Sequence, residues 1–185
     1  MNNGPRMPRF LDVLNRRLSM AEFPIRQITI LGDDNYYCGL GEIFSEKGSL
    51  KNATNALYIG GGTGVADAIV LDEKLVNFET VQDRLKKTWE IVQPNGQSLE
   101  SLISQKGLME IKANTLNMSV DQLIEKGLFP EVFLQDDLEL AESFASNLSW
   151  LIHFRLATFG EMFSQKVFDK IVLGKRLGHM LNSND

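Results

Sequence analysis

The stretch ALYIGGGTGVADAIVLDEKLV, from Ala56 to Val76, constrains the fold of this chain more than any other. Four of the five residues from Gly60 to Gly64 are glycine, with only Thr63 between them, and apolar runs flank the cluster on both sides. Glycine weakens a strand because it adds unfolded-state entropy and removes packing. A cluster of this kind marks backbone that turns sharply or approaches something closely. The apolar runs NALYIGG and ADAIVLD around Gly62-Thr63-Gly64 read as the two strands of a hairpin. Successive backbone N–H groups in a glycine turn can also surround a phosphate. A tight hairpin and a phosphate loop both fit the residues.

The rest of the chain supplies helices and one further pair of strands. FLDVLNRRLSM (10–20) has a helical apolar stripe in Phe10, Leu11, Val13, Leu14 and Leu18, and Pro24 closes the region. IRQITIL (25–31) reads as a short strand, and Gly32-Asp33-Asp34 as a turn with helix-capping residues. NYYCGLGEIFSEKG reads as a helix ending at Gly48. Residues 79–92 suit an amphipathic helix, and 98–104 a short one capped by Ser98. Residues 119–127 form a helix between Ser119 as N-cap and Gly127 as terminator. The segment 136–163 is apolar on more than one side, as expected of a buried helix. FDKIVLG (168–174) reads as a late strand, with a short helix from Lys175 towards Leu181. This order gives an α/β fold whose hairpin makes the sheet mixed.

Composition narrows the function. The chain has 185 residues, suited to one domain, and is 43% hydrophobic and 23% charged, a globular balance. A formal charge of −5 favours neither nucleic acid nor an anionic membrane as partner. No stretch reaches the roughly 18 apolar residues of a spanning helix, and the N-terminus lacks the apolar run of a signal peptide. One cysteine, Cys38, permits no internal disulfide and no thiolate zinc cluster, and His153 and His179 have no partners at ligand spacing, so no zinc is expected. A reducing, cytoplasmic compartment follows as the expectation. Tyr36, Tyr37 and Cys38 read as packing residues, Glu42 as structural or solvated, and Lys86-Lys87 as a solvated face.

Two stretches carry the candidate chemistry. In ILGDDNYYCGLGE (30–42) a strand ends, two aspartates follow and a helix begins, which places Asp33 and Asp34 at the carboxyl end of a strand, where α/β proteins bind ligands. Both aspartates are equally good helix caps. The second stretch is GGGTGVADAIVLD (60–72). Together with GQSLESLIS and FDKIVLGKRLG, in that order along the chain, they resemble the ROK family of sugar kinases and repressors in the actin/hexokinase-like ATPase superfamily.

The resemblance implies a ribonuclease-H-like, actin-like ATPase lobe with a mixed sheet and flanking helices, residues 1–185 being a single C-terminal lobe without the N-terminal ATPase lobe and terminal helices. It implies Asp34 as the catalytic base, Asp33 at the sugar-binding position, Gly62, Thr63 and Gly64 as the phosphate loop, and Gly174 near the adenosine. It implies ATP and Mg²⁺ as cofactors, a sugar or sugar-like small molecule as substrate, and phosphoryl transfer to a sugar hydroxyl. The chain departs from the family in several places. Asp33 replaces an asparagine, and the segment between Asn77 and Pro94 lacks the family's E-x-G-H sugar motif. Ala66 and Asp67 stand where glycines are usual, and Asp67 is expected to repel phosphate. The isolated chain is therefore expected to be inactive as a kinase. The alternative class is a degenerate kinase-like module that binds a ligand or partner without catalysis. The apolar segment 136–163 further leads to the expectation of a homodimer.

Overall fold

The computed structural model describes residues 9–21, 27, 34–81, 84–164, 166–174, 177–178 and 180. The chain divides into two compact units, Met1–Asp33 and Asp34–Asp185. In the first, helix α1 spans Phe10–Met20, where the apolar stripe predicts it, and buries none of its side chains fully. All of the strand expected at 25–31 except Gln27 lies outside the described residues, as does Asp33.

The second unit opens with helix α2, Asp34–Phe44. The helix stops four residues before the expected Gly48. The Glu42 carboxylate accepts the Ser49 N–H at 2.8 Å, and the Glu42 carbonyl accepts the Leu50 N–H at 3.1 Å, so turns replace the last helical turn. Glu42 is thus structural. Strands β1 (Ala56–Gly61), β2 (Val65–Leu71), β3 (Lys74–Leu75) and β4 (Lys170–Gly174) form a four-stranded sheet in the order β3-β2-β1-β4. β1 and β2 pair antiparallel as the expected hairpin, while β1 and β4 pair parallel, so the sheet is mixed. Every residue of β1 is buried, because it has neighbours on both edges and both faces.

Alternation along β1 and β2 creates two cores. Ala56, Tyr58, Ala68 and Val70 face α2, whose Gly39 lets the helix approach Ala68 and Leu75. Leu57, Ile59, Val65 and Ile69 face a larger helical layer. That layer consists of α3 (Leu99–Ile103), α4 (Gln105–Thr115), α5 (Val120–Glu125), α6 (Pro130–Asp136) and α7 (Leu138–Met162). Ser98 caps α3 as expected, accepting the Ser101 N–H. Ser119 caps α5 in a capping box with Gln122. Gly127, at φ +67°, ends α5: its N–H bonds the Ile124 carbonyl and the Leu128 N–H bonds the Leu123 carbonyl, a Schellman closure. α7 buries Leu140, Phe144, Leu148, Leu151, Arg155 and Phe159 along one face.

Residues 79–92 do not form the amphipathic helix that their pattern suggests. The described part holds 3₁₀ turns at Phe78–Thr80 and Thr88–Glu90 and no α-helix. Phe78, Leu85, Thr88 and Ile91 are buried. Tertiary anchoring overrides the weak helical preference here.

The anchor is a buried ion pair. Arg155, fully buried on α7, brings Nε to 2.6 Å from Asp67 Oδ2 on β2. Among the described residues neither atom makes an aligned hydrogen bond, so the contact is one of charge rather than of directed N–H donation. Thr88 joins the two: its hydroxyl donates to Asp67 Oδ1 at 2.6 Å, and Arg155 Nη2 donates to Thr88 Oγ1 at 3.5 Å. The guanidinium also stands 5.6 Å from the Phe78 ring centroid. Removing one member of such a pair leaves an uncompensated buried charge. Arg155→Leu should therefore destabilise the fold by about 3–5 kcal/mol, while the joint Asp67→Val/Arg155→Met replacement should return most of that loss. Denaturant unfolding of both variants measures the difference.

Tyr58 presents a second buried polar group. Its hydroxyl is buried and, among the described residues, has no hydrogen-bond partner. Burial, then the neighbouring Glu42 and Cys38, push its pKa up to about 12. Because the folded value lies above the usual 10, the stability linked to this proton is complete below pH 10 and is lost as pH rises through 12. Tyr58→Phe removes the unpartnered hydroxyl, and should stabilise the protein by about 1 kcal/mol at neutral pH. It should also flatten the decline in melting temperature between pH 10 and 12, which thermal scans across that range will show.

Candidate functional site

The glycine-rich turn stands at the carboxyl end of β1, beside the carboxyl end of its parallel neighbour β4. Gly60 pairs with Gly174, so the register brings Gly174 to the same end of the sheet as Gly62, Thr63 and Gly64. Three neighbouring side chains occupy space that β-carbons would otherwise fill. The Tyr58 ring lies where side chains on Gly60 and Gly174 would stand, Leu177 fills that space at Gly61, and Glu100 does so at Gly64. Gly174 therefore has a packing reason to be glycine.

Gly62 differs. Among the described residues, a β-carbon there would meet nothing within 4 Å. Neither a positive φ nor a close neighbour requires glycine at this position, which leaves open space above the turn.

The turn is held from below. The Gly62 N–H donates to the Gly64 carbonyl at 2.9 Å, and the Gly62 carbonyl accepts the Gln105 N–H at 3.0 Å from the start of α4. The Val65 N–H donates to Glu100 Oε1 on α3 at 3.2 Å. Among the described residues, nothing engages the successive N–H groups of Thr63 and Gly64, and Thr63 is exposed. Successive backbone N–H groups in a turn can form an anion-binding concavity. The donor set, the open space at Gly62 and the position at the carboxyl ends of parallel strands fit the phosphates of a nucleotide.

Asp34 begins α2 as the first residue of the second unit, and its side chain lies outside the described residues. Asp67 does not face the turn. Its carboxylate lies on the covered side of the sheet, bound by Arg155 and Thr88, so the expected repulsion of phosphate is corrected by the strand's alternation. The acidic neighbour of the turn is Glu100 instead, missed as a site residue although LESLIS was visible in the sequence. Only the tertiary fold brings α3 against a hairpin 35 residues away. Among the described residues, no group of three or more His, Cys, Asp and Glu side chains could hold a metal, and no helix is long and apolar enough to cross a membrane. His153 is exposed, its Nδ1 2.8 Å from the Ser149 carbonyl on its own helix.

No family model matches the sequence, and no curated protein matches it significantly. Solved structures do. A ROK family glucokinase from Streptomyces griseus, solved with glucose and AMPPNP, aligns at TM-score 0.59 and 18% identity, covering 97% of this chain and 60% of the glucokinase. A candidate sugar kinase from Cytophaga hutchinsonii aligns at TM-score 0.60 and 18% identity, over 98% of this chain and 58% of its own. A ROK hexokinase from Thermus thermophilus aligns at TM-score 0.51 and 19% identity, over 86% and 57%. The chain spans less than two thirds of each of these proteins. Its mixed sheet and flanking helices thus have the α/β, actin-like fold seen over part of the length of ROK family sugar kinases.

Proposed function

We propose that this chain is the nucleotide-binding lobe of a ROK-type sugar kinase, the C-terminal one, and that its Gly62–Gly64 turn receives the phosphates of ATP. The observation that carries this reading is the pair of unengaged N–H groups at Thr63 and Gly64, beneath open space at Gly62. The residues that would hold the nucleotide are Gly62, Thr63 and Gly64, with Gly174 at the neighbouring strand end. Magnesium, when bound with the nucleotide, supplies neutralisation of phosphate charge. Asp34 is the proposed base, taking a proton from the sugar hydroxyl as it attacks, and Asp33 is the proposed sugar contact. Donors aimed at phosphate from two lobes act as a preorganised whole, and one lobe alone forfeits several factors of ten in rate.

A second reading, a kinase-like module that binds without catalysis, is favoured by the segment after β3. In place of a sugar motif, this stretch commits Phe78 and Thr88 to the Arg155 anchor. Titration calorimetry with ATP and Mg²⁺, alongside a coupled assay for hexose-dependent ADP release, separates the readings. We expect binding without turnover for the 185-residue chain. Absence of ATP binding would overturn both the nucleotide site and the kinase reading. Hexose-dependent ADP release would overturn the expected inactivity of the single lobe.

The proposed assembly is a two-fold dimer through the outer face of α7. From Ser143 to Gly160 this helix carries one residue of the Asp, Glu, Lys and Arg class, Arg155, and it is buried. Trp150 is 39% exposed and stacks on Phe154 at 5.6 Å. Interface cores are depleted of charge and enriched in such aromatics. Light scattering at tens of micromolar should give the mass of a dimer, and Trp150→Glu should return it to a monomer. A monodisperse wild-type monomer would overturn the assembly.

A further inference from the structure

Residues 92–98 form a small hairpin just before α3. Val92 and Ser98 make an antiparallel bridge, and the Gln93 N–H donates to the Gln97 carbonyl at 2.9 Å. The Gly96 N–H donates to the Gln93 carbonyl at 2.9 Å, which closes a β-turn over Pro94 and Asn95. Gly96 stands at φ +84°, the pattern of a three-residue loop with glycine at its bulge. The Asn95 side chain folds over this loop. Its Oδ1 accepts the Gln97 N–H at 3.0 Å, and its Nδ2 donates to Gln97 Oε1 at 2.9 Å. Asn95, Gly96 and Gln97 are all exposed. Among the described residues, a β-carbon on Gly96 would meet nothing within 4 Å.

We propose that Asn95 is a covalent modification site, at which the chain deamidates itself. The Gly96 nitrogen gives its proton to hydroxide and attacks Asn95 Cγ, closing a cyclic imide. The Gln97 N–H, already directed at Oδ1, stabilises the negative charge that develops on that oxygen. The Cγ–Nδ2 bond then breaks, and the amide nitrogen takes a proton from water and leaves as ammonia. Because Gly96 has no side chain, its nitrogen is unhindered. Water opens the imide, at Cγ to give aspartate or at the Asn95 backbone carbonyl to give isoaspartate. The bond from the Gly96 N–H to Gln93 opposes the first step, since it must open before the nitrogen reacts. Pro94 presets this turn and so slows the reaction. Isoaspartate inserts a methylene into the backbone, and Gln93 and Gln97 then lose their register. The hairpin is a strap between helices: Gln93 Nε2 donates to Asn147 Oδ1 on α7 at 2.7 Å, and Ser98 caps α3. The modification therefore loosens the strap at the start of α3.

The test ages the folded 185-residue chain at mildly alkaline pH and follows tryptic peptides by mass spectrometry. The peptide 88–106 holds Asn95 as its one asparagine, and the chain's other Asn-Gly pair, Asn3-Gly4, falls in a separate peptide. Wild type should gain the amide-to-acid mass increment at residue 95, as isoaspartate and aspartate together, at a rate proportional to hydroxide. Aged protein should melt about 2–4 °C lower, the shift that loss of one hydrogen bond gives in a chain of this size. Asn95→Asp keeps the Oδ1 acceptor without the reaction, and should hold the melting temperature of fresh wild type through the same ageing. Pro94→Gly loosens the turn and should speed the reaction several-fold. An unchanged Asn95 in the folded chain would overturn the proposal, whether or not the urea-unfolded chain reacts. Aspartate without isoaspartate would mean direct hydrolysis, and would overturn attack by Gly96. An equal rate in wild type and Pro94→Gly would overturn control by the turn.

Discussion

The close approach of side chains to bare backbone at the carboxyl end of β1 is the constraint on which the rest of the second unit depends. Tyr58 lies across Gly60 and Gly174, Leu177 against Gly61, and Glu100 against Gly64. Each contact exists because a β-carbon is missing, and each comes from a different part of the chain. Together they bring β4, Leu177 and α3 to one end of the sheet. The glycine cost in strand stability is offset by contacts that no residue with a side chain would permit.

Further along the sheet the problem is the reverse, a charge too many rather than an atom too few. Asp67 points into the covered face, where an isolated carboxylate would be unstable. Arg155 arrives from the middle of α7 to neutralise it, and Thr88 satisfies a second oxygen. A single triad thus joins the sheet, the longest helix and the segment after β3. Such a pair is a weak source of net stability, but it selects one register of α7 on the sheet, because a slip by one residue would strand both charges.

The two arrangements bear on function differently. At the glycine end, among the described residues, two N–H donors are unengaged and space is open at Gly62. The ion-pair end draws residues 78–90 inward and commits them to packing. The fold is shared with solved sugar kinases over part of their length.

The sequence alone determined the hairpin around Gly62-Thr63-Gly64, the capped helices beginning at Ser98 and Ser119, the long helix within 136–163 and the late strand. All of these are short-range outcomes, set by φ preferences, side-chain capping and hydrophobic period, which neighbouring residues specify without distant help. The resemblance that pointed to the turn also rested on local motifs. Tertiary structure alone decided that Asp67 faces Arg155 rather than phosphate, that 79–92 is no α-helix, and that Glu100 stands at the turn. Partners 88, 67 and 35 residues apart make those choices. Their energies come from burying charge and apolar surface across the sheet, which no local pattern encodes, and they exceed the few tenths of a kcal/mol by which helix and coil differ per residue.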